Sequence, residues 1–162
     1  MDPYGMLHEK EGRYVLEFNR LFTHQPERVF HCIADPGYFT KWYPFATGEM
    51  ELKEDGKIAF DDGEGTKYEA VITAFDPPVV FAFREMNDLV QIELQPTPDG
   101  CSMTFKHTFN DESWAAATAA GWHQCLDALG MIVNEQPPEW PDNGSELREY
   151  YWKAFFQKER KK

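Results

Sequence analysis

One Ala-rich segment, residues 113–134, decides the fold, and its centre reads Ala119-Ala120-Gly121-Trp122-His123-Gln124-Cys125-Leu126-Asp127-Ala128-Leu129. Apolar residues recur along it at spacings of three and four: Ala115, Ala119, Trp122, Leu126, Leu129 and Val133. This spacing predicts a helix with an apolar stripe that faces a core. Because a series of β-like segments precedes it, we expect one long helix laid across a curved sheet, an arrangement that can enclose a cavity.

The residues before this helix predict antiparallel strands. A first strand is expected at residues 14–22, and a meander of six more at 48–53, 57–60, 68–75, 79–84, 89–95 and 101–109. Short turns rich in Gly, Asp, Asn and Pro separate the last six, which indicates antiparallel neighbours. The acidic turn with Asp61, Asp62 and Glu64 lacks the spacing of an EF-hand calcium loop, and we interpret it as a solvated hairpin.

Two short helices are predicted between the first strand and the meander. Pro26 and Glu27 suit the first turn of one helix, and Asp35 can cap a second that includes residues 39–42 and stops at Pro44. The first strand, the helix pair, the meander and the long helix form one domain at residues 1–136. This length of chain is enough to bury a core.

A Pro-rich breaker, residues 136–144, follows the long helix. We expect residues 137–162 to form a linker and an amphipathic helix capped by Ser145, with cations at its negative end: Lys158, Arg160, Lys161 and Lys162. The aromatic face of this helix would pack on its own domain or on a second copy of the chain.

Composition excludes several classes of protein. The net charge of -12 opposes phosphate backbones and anionic lipid surfaces, so neither nucleic acid nor membrane is an expected partner. No apolar run approaches the roughly 18 residues of a membrane span, and the N-terminus lacks the pattern of a signal peptide, which favours the cytoplasm. Cys32, Cys101 and Cys125 are widely spaced and are expected to be reduced, buried thiols. No motif indicates a metal site or a cofactor.

Several local motifs resemble a known family. Arg20-Leu21-Phe22, residues 26–30, Asp35-Pro36 and Trp42-Tyr43-Pro44 are similar to the opening of START-like (SRPBCC) proteins of the family of activator of heat-shock protein 90 ATPase homologues. Residues 104–109 and Gly121-Trp122 are similar to its closing motifs. The resemblance covers residues 14–134 and implies an α+β helix-grip fold, as in the birch-pollen allergen. Residues 137–162 fall outside the shared pattern.

Strand parity places candidate ligand contacts on one face of the sheet. Met103, Phe105, His107 and Phe109 share a face that should point at the long helix. His107 is expected either to serve a ligand as a hydrogen-bond partner, acid or base, or to be a core histidine satisfied by a neighbour. The candidate site residues are Trp42, Tyr68, Phe81, Phe83, Ile92, Phe105, His107, Trp122 and Leu126, each of which is equally compatible with simple packing. Gly121 is interpreted as leaving room for a close neighbour.

Three functions are compatible with these features. The first is binding of a small apolar or aromatic ligand between the sheet and the long helix. The aromatic content of 15% favours this function, because aromatic side chains can line a pocket. The second is a protein-interaction module similar to the chaperone ATPase activator, with a homodimer as a further possibility. The third is a polyketide-cyclase-like enzyme that uses His107 and Tyr68, which ranks last because no convergent acid and base can be placed. No catalytic residue is therefore assigned.

Overall fold

The computed structural model describes residues 3–157 and has an α+β fold, as predicted. Its strands are β1 (Met6–Lys10), β2 (Arg13–Phe22), β3 (Ala46–Met50), β4 (Lys57–Asp61), β5 (Lys67–Asp76), β6 (Val80–Glu85), β7 (Asp88–Thr97) and β8 (Gly100–Phe109). Its helices are α1 (Pro26–Ala34), α2 (Pro36–Trp42), α3 (Ala115–Val133) and α4 (Gly144–Trp152). A 3₁₀ turn, Glu112–Trp114, precedes α3, and a π-helical turn, Lys153–Gln157, follows α4.

All strands belong to one antiparallel sheet with the order β1-β2-β8-β7-β6-β5-β4-β3. The predicted meander is confirmed as β3 to β8, and β2 joins it beside β8. Side chains alternate between a buried inner face and an outer face, most regularly along β8. The inner face therefore presents a continuous apolar surface that another element must cover.

The edge strand β1 was not predicted. It forms a hairpin with β2 through Glu11 and Gly12, which both have positive φ angles, +54° and +79°. Such a two-residue turn matches the twist of the strands it connects. Because β1 is largely exposed, it lacks the apolar alternation on which the strand predictions depended.

The long helix α3 covers the inner face, and the predicted apolar stripe is confirmed. Each of the six residues of the predicted stripe is buried. Both flanks of the stripe are also buried, with Ala116, Ala120 and His123 on one flank and Cys125, Ala128 and Ile132 on the other. A Cβ at Gly121 would have no heavy atom within 4 Å, so the expected close neighbour of Gly121 is not there.

The last helix and the N-terminal segment pack against the flank of α3 that carries His123. Tyr151 is fully buried; its hydroxyl accepts a hydrogen bond from the Gly5 N–H at 2.9 Å and lies 2.8 Å from His123 Nδ1. The aromatic face of α4 thus packs on its own domain. The predicted cap is wrong, because Asn143 precedes α4 and Ser145 lies inside it. The predicted cations at residues 158–162 lie outside the described residues.

The helices α1 and α2 close one end of the sheet. Pro26 opens α1, and the Asp35 carboxylate caps α2 by accepting a hydrogen bond from the Gly37 N–H at 3.1 Å, as predicted. The indole N–H of Trp42 donates to the carbonyl of Ile33 at 3.2 Å and fixes α2 on α1. Within residues 3–157, no helix is long and apolar enough to cross a membrane. Cys32, Cys101 and Cys125 are buried and unpaired.

Two glycine substitutions test this arrangement in opposite directions. A Cβ at Gly100 would lie 2.1 Å from the Phe22 carbonyl oxygen, so Gly100→Ala forces β8 away from β2. We expect it to lower the free energy of unfolding by about 1 to 3 kcal/mol. Gly121→Ala improves helix propensity without a clash and should raise the free energy of unfolding by up to about 1 kcal/mol. Urea denaturation measures both, and a Gly100→Ala variant as stable as the parent would contradict the β2–β8 packing.

Candidate functional site

Three ionisable side chains meet at one end of the inner face, at the end of the sheet opposite α1. We call them the inner polar group: Glu85 at the end of β6, Asp88 at the start of β7 and His107 near the end of β8. The tight β6–β7 hairpin pairs Glu85 with Asp88, and β7 pairs with β8 so that Val90 lies opposite His107. Antiparallel pairing therefore collects residues that are far apart in sequence.

His107 uses both of its ring nitrogens within the protein. Trp122 Nε1–H donates to His107 Nδ1 at 2.9 Å, and His107 Nε2 lies 2.9 Å from Asp88 Oδ2. Because an indole nitrogen can only donate, Nδ1 must be the unprotonated nitrogen, and Nε2–H donates to the carboxylate. The chain Trp122–His107–Asp88 thus fixes a neutral imidazole in one tautomer.

Glu85 has no such partner. Its Oε1 atom is buried and has no hydrogen-bond partner among the described residues. Burial raises the pKa of the Glu85 carboxyl, and the negative charge of Asp88 adds to the effect. A positive charge on His107 would oppose the rise, but the hydrogen bond from Trp122 requires a neutral imidazole. Glu85 is therefore the member of the group with an unused polar atom.

Aromatic rings surround the inner polar group. The Tyr43 ring lies 5.2 Å from Trp122 and 5.5 Å from Phe83, measured between ring centroids, and the Tyr68 ring is stacked at 5.0 Å on Phe60. Burial, followed by the charge of Glu85, raises the pKa of Tyr43 far above its usual value and that of Tyr68 to about 12. Both phenols therefore stay neutral and can donate hydrogen bonds.

A pocket of about 340 Å³ opens beside the group, between the β6–β7 hairpin and the start of α3. Asp88 and His107 form part of its wall, so the pocket reaches the inner polar group from outside. Met86 and Trp114 also line it and are strongly exposed, at 82% and 64%. The remaining lining residues are Asn87, Phe109, Asn110, Asp111 and Thr118.

The structure brings several of the predicted site residues together. Trp122 contacts Phe105 and His107, with ring centroids 5.0 Å and 5.7 Å apart. Phe81 and Phe83 adjoin each other at 5.4 Å, and Phe83 reaches the site through Tyr43. The others lie in the same core: Ile92 and Leu126 are buried, and Tyr68 packs at the core's edge.

Trp42 stands apart from this group in its bonding, since its indole N–H is used within the α1–α2 pair. Its ring packs on Phe39 and Tyr43, with centroids 5.7 Å and 5.5 Å apart. Trp42 is almost fully buried, so it supports the site from behind Tyr43.

Glu85 and Asp88 were missed by the sequence analysis. Glu85 has the same parity as Phe81 and Phe83, so a β6 strand one residue longer would have placed it on the inner face. The signal for Asp88 is weaker, since it was assigned to a turn. Only the register of β7 on β8, in which Val90 lies opposite His107, reveals that Asp88 is near His107.

Comparison with known proteins identifies the family. The family model for activator of Hsp90 ATPase homolog 1-like proteins matches residues 23–134. The chain belongs to this family. The predicted resemblance is thereby confirmed, and no curated protein sequence matches the chain significantly.

Solved structures share the fold at low sequence identity. A conserved protein of unknown function, EF2215 from Enterococcus faecalis, has a TM-score of 0.80 at 15% identity over 94% of this chain and 91% of its own. CalU16 from Micromonospora echinospora has a TM-score of 0.72 at 17% identity over 95% and 94%. A Rhodobacter sphaeroides protein has a TM-score of 0.64 at 20% identity over 81% and 98%. The first two coverages require that part of the segment after residue 134 is matched too.

Trp122 supports the site in two separable ways. Trp122→Ala removes a large aromatic ring that is only 8% exposed, and we expect a loss of about 3 to 5 kcal/mol in the free energy of unfolding. Trp122→Phe keeps a ring but removes the donor to His107, which should cost about 1 to 3 kcal/mol. Urea denaturation measures both changes. Equal losses for the two variants would show that the ring contributes nothing beyond the hydrogen bond.

The raised pKa of Glu85 predicts a pH dependence of stability. Since the folded state holds this proton more tightly than the unfolded state, the stabilisation is complete below the unfolded pKa and is lost as pH rises through the folded pKa. Glu85→Gln should therefore gain stability relative to the parent as pH rises above the ordinary pKa of a glutamate, about 4.3. Glu93→Gln, on the exposed outer face of β7, serves as the control. A stability difference that does not change with pH would contradict the burial of the Glu85 carboxyl.

Proposed function

We propose that the chain binds a small, largely apolar molecule at the inner polar group, with a hydrogen-bond donor of the ligand at Glu85. The observation that carries this proposal is the buried Oε1 atom of Glu85, which has no partner among the described residues. Such an oxygen costs about 1 to 3 kcal/mol when it is left unpaired. Buried polar groups in folded proteins are nearly always hydrogen-bonded, so a ligand donor accounts for this exception.

The surroundings of Glu85 suit an apolar ligand body. Met86, Phe109 and Trp114 give the pocket beside the inner polar group an apolar surface. The adjacent pocket of about 340 Å³ has the size of a small-ligand site, for which about 300 to 1,000 Å³ is usual. A ligand in this pocket would lie against Asp88 and His107 and place its polar end near Glu85.

The hydrogen bonds of His107 favour binding over catalysis. A general base needs a free nitrogen within reach of the substrate, and both nitrogens of His107 are occupied by Trp122 and Asp88. The polyketide-cyclase-like alternative therefore gains no support from His107. Tyr68, the other residue of that alternative, has a raised pKa and does not ionise readily.

A second candidate function is protein interaction, as the name of the family suggests. Met86 and Trp114 expose 82% and 64% of their surface and both line the pocket of the inner polar group. Exposed apolar side chains that adjoin one another are typical of interaction sites. A protein partner would cover these two residues without occupying the space next to Glu85.

Glu85→Leu tests the ligand proposal. Because it removes the unpaired oxygen, we expect the free energy of unfolding to rise by about 1 to 3 kcal/mol. The same change should weaken binding of the neutral fluorescent probe N-phenyl-naphthylamine, whose N–H can donate to Glu85, by about threefold to tenfold. Fluorescence titration and urea denaturation measure the two effects on one protein sample.

The matched control is Glu93→Leu, which changes an exposed acid on the outer face of the next strand. It should leave probe affinity unchanged. Native mass spectrometry of freshly purified protein adds a direct search for a small co-purified molecule. A Glu85→Leu variant that binds the probe like the parent would overturn the proposed role of Glu85, and an absence of both probe binding and adduct would favour the interaction module.

A further inference from the structure

A second pocket lies at the other end of the sheet, outside the core. It has a volume of about 430 Å³ and is formed between α1, the β5–β6 turn and the segment after β3. Its lining residues are Glu27, Phe30, His31, Ala34, Asp35, Leu52, Phe75, Pro77 and Pro78. None of them belongs to the inner polar group or its aromatic surroundings.

The walls of this pocket are mainly apolar. Phe30 and Phe75 are 5.8 Å apart between ring centroids, and Leu52 and the two prolines complete an apolar surface. Phe30 also contacts Phe81 of the core at 6.5 Å. The Phe30 ring therefore separates the pocket from the interior, so that a ligand here would not occupy the inner-face site.

The carboxylates that line the pocket have no cationic side chain among the other lining residues. Of the described residues that line it, Glu27 and Asp35 are carboxylates, His31 is exposed and none is a lysine or an arginine. One Asp35 oxygen already accepts the Gly37 N–H, whereas Glu27 is exposed at the start of α1. An apolar floor with an acidic rim is complementary to a molecule that has an apolar body and a positive end.

We propose that this pocket binds small amphiphilic amines, with the apolar body between Phe30, Phe75 and Leu52 and the ammonium group at Glu27. Its volume is in the range of small-ligand sites, about 300 to 1,000 Å³. The net charge of -12 further favours the encounter with a cation. This proposal is independent of the function proposed for the inner face.

Naphthylethylamine is a suitable probe, and naphthylethanol is its neutral counterpart of nearly the same shape. We expect amide NMR spectra of the isotope-labelled protein to shift at His31, Ala34, Leu52 and Phe75 on addition of the amine. The amine should bind about threefold to fivefold more tightly than the alcohol, as for one partly exposed ion pair, and added salt should reduce this preference. Shifts confined to residues near Glu85 and His107, or equal affinities of the two compounds, would overturn the proposal.

Two variants separate the charge from the apolar contact. Glu27→Gln should abolish the preference for the amine while leaving the affinity for the alcohol unchanged, and Leu52→Ala should weaken both compounds by about fivefold. Glu49→Gln, an exposed acid on β3 outside the pocket, is the control and should behave like the parent. Thermal denaturation confirms that each variant is folded. If Glu27→Gln and Glu49→Gln lose the preference equally, the attraction comes from the net charge and the site is refuted.

Discussion

The apolar inner face of the sheet has to be covered, and α3 is the element that covers it. Six strands contribute alternate side chains to this face. The face is too large for a turn or an edge strand to shield it from water. Trp122 has two requirements at this contact. Its ring packs on Phe105 and Tyr43, and its buried N–H needs a hydrogen-bond acceptor. The rest of the domain is arranged around that contact: α1 and α2 close one end, and α4 packs beside α3, where Tyr151 contacts both His123 and Phe18 of β2.

The need of Trp122 for an acceptor explains why a histidine is tolerated in the core. The other ring nitrogen of His107 donates a hydrogen bond to Asp88, whose carboxylate is partly exposed at the surface. The chain of two hydrogen bonds leaves no buried polar atom unpaired along its length. Glu85, on the neighbouring strand, has no comparable arrangement. Within one cluster, the polar atoms of His107 are hydrogen-bonded and one oxygen of Glu85 is not. Packing alone therefore does not explain the presence of Glu85.

Elements that form through local interactions can be predicted from the sequence, whereas those that depend on contacts between distant residues cannot. The stripe of α3 and the turns of the meander depend on local periodicity and turn chemistry, and these were predicted well. The edge strand β1 was missed because pairing with β2, rather than its own apolar pattern, forms it. The prediction of a cap at Ser145 failed because α3 holds the residues before α4, where Gln124 donates hydrogen bonds to the Pro141 carbonyl and to Asn143 Oδ1. His107 was placed on the correct face, but its partners come from β7 and α3, and no local pattern contains that information.

The hydrogen bond between the Gly5 N–H and the Tyr151 hydroxyl brings the two ends of the described chain side by side. Tyr4 and Tyr150 are stacked next to it, with ring centroids 4.1 Å apart. Gly5 and the end of α4 are thus near neighbours, and a short linker would suffice to connect the chain at these two points. A circular permutant opened at the exposed turn around Gly63 would keep every strand pair of the sheet. In such a permutant the strands would be synthesised in a different order, while their order in the sheet would stay the same.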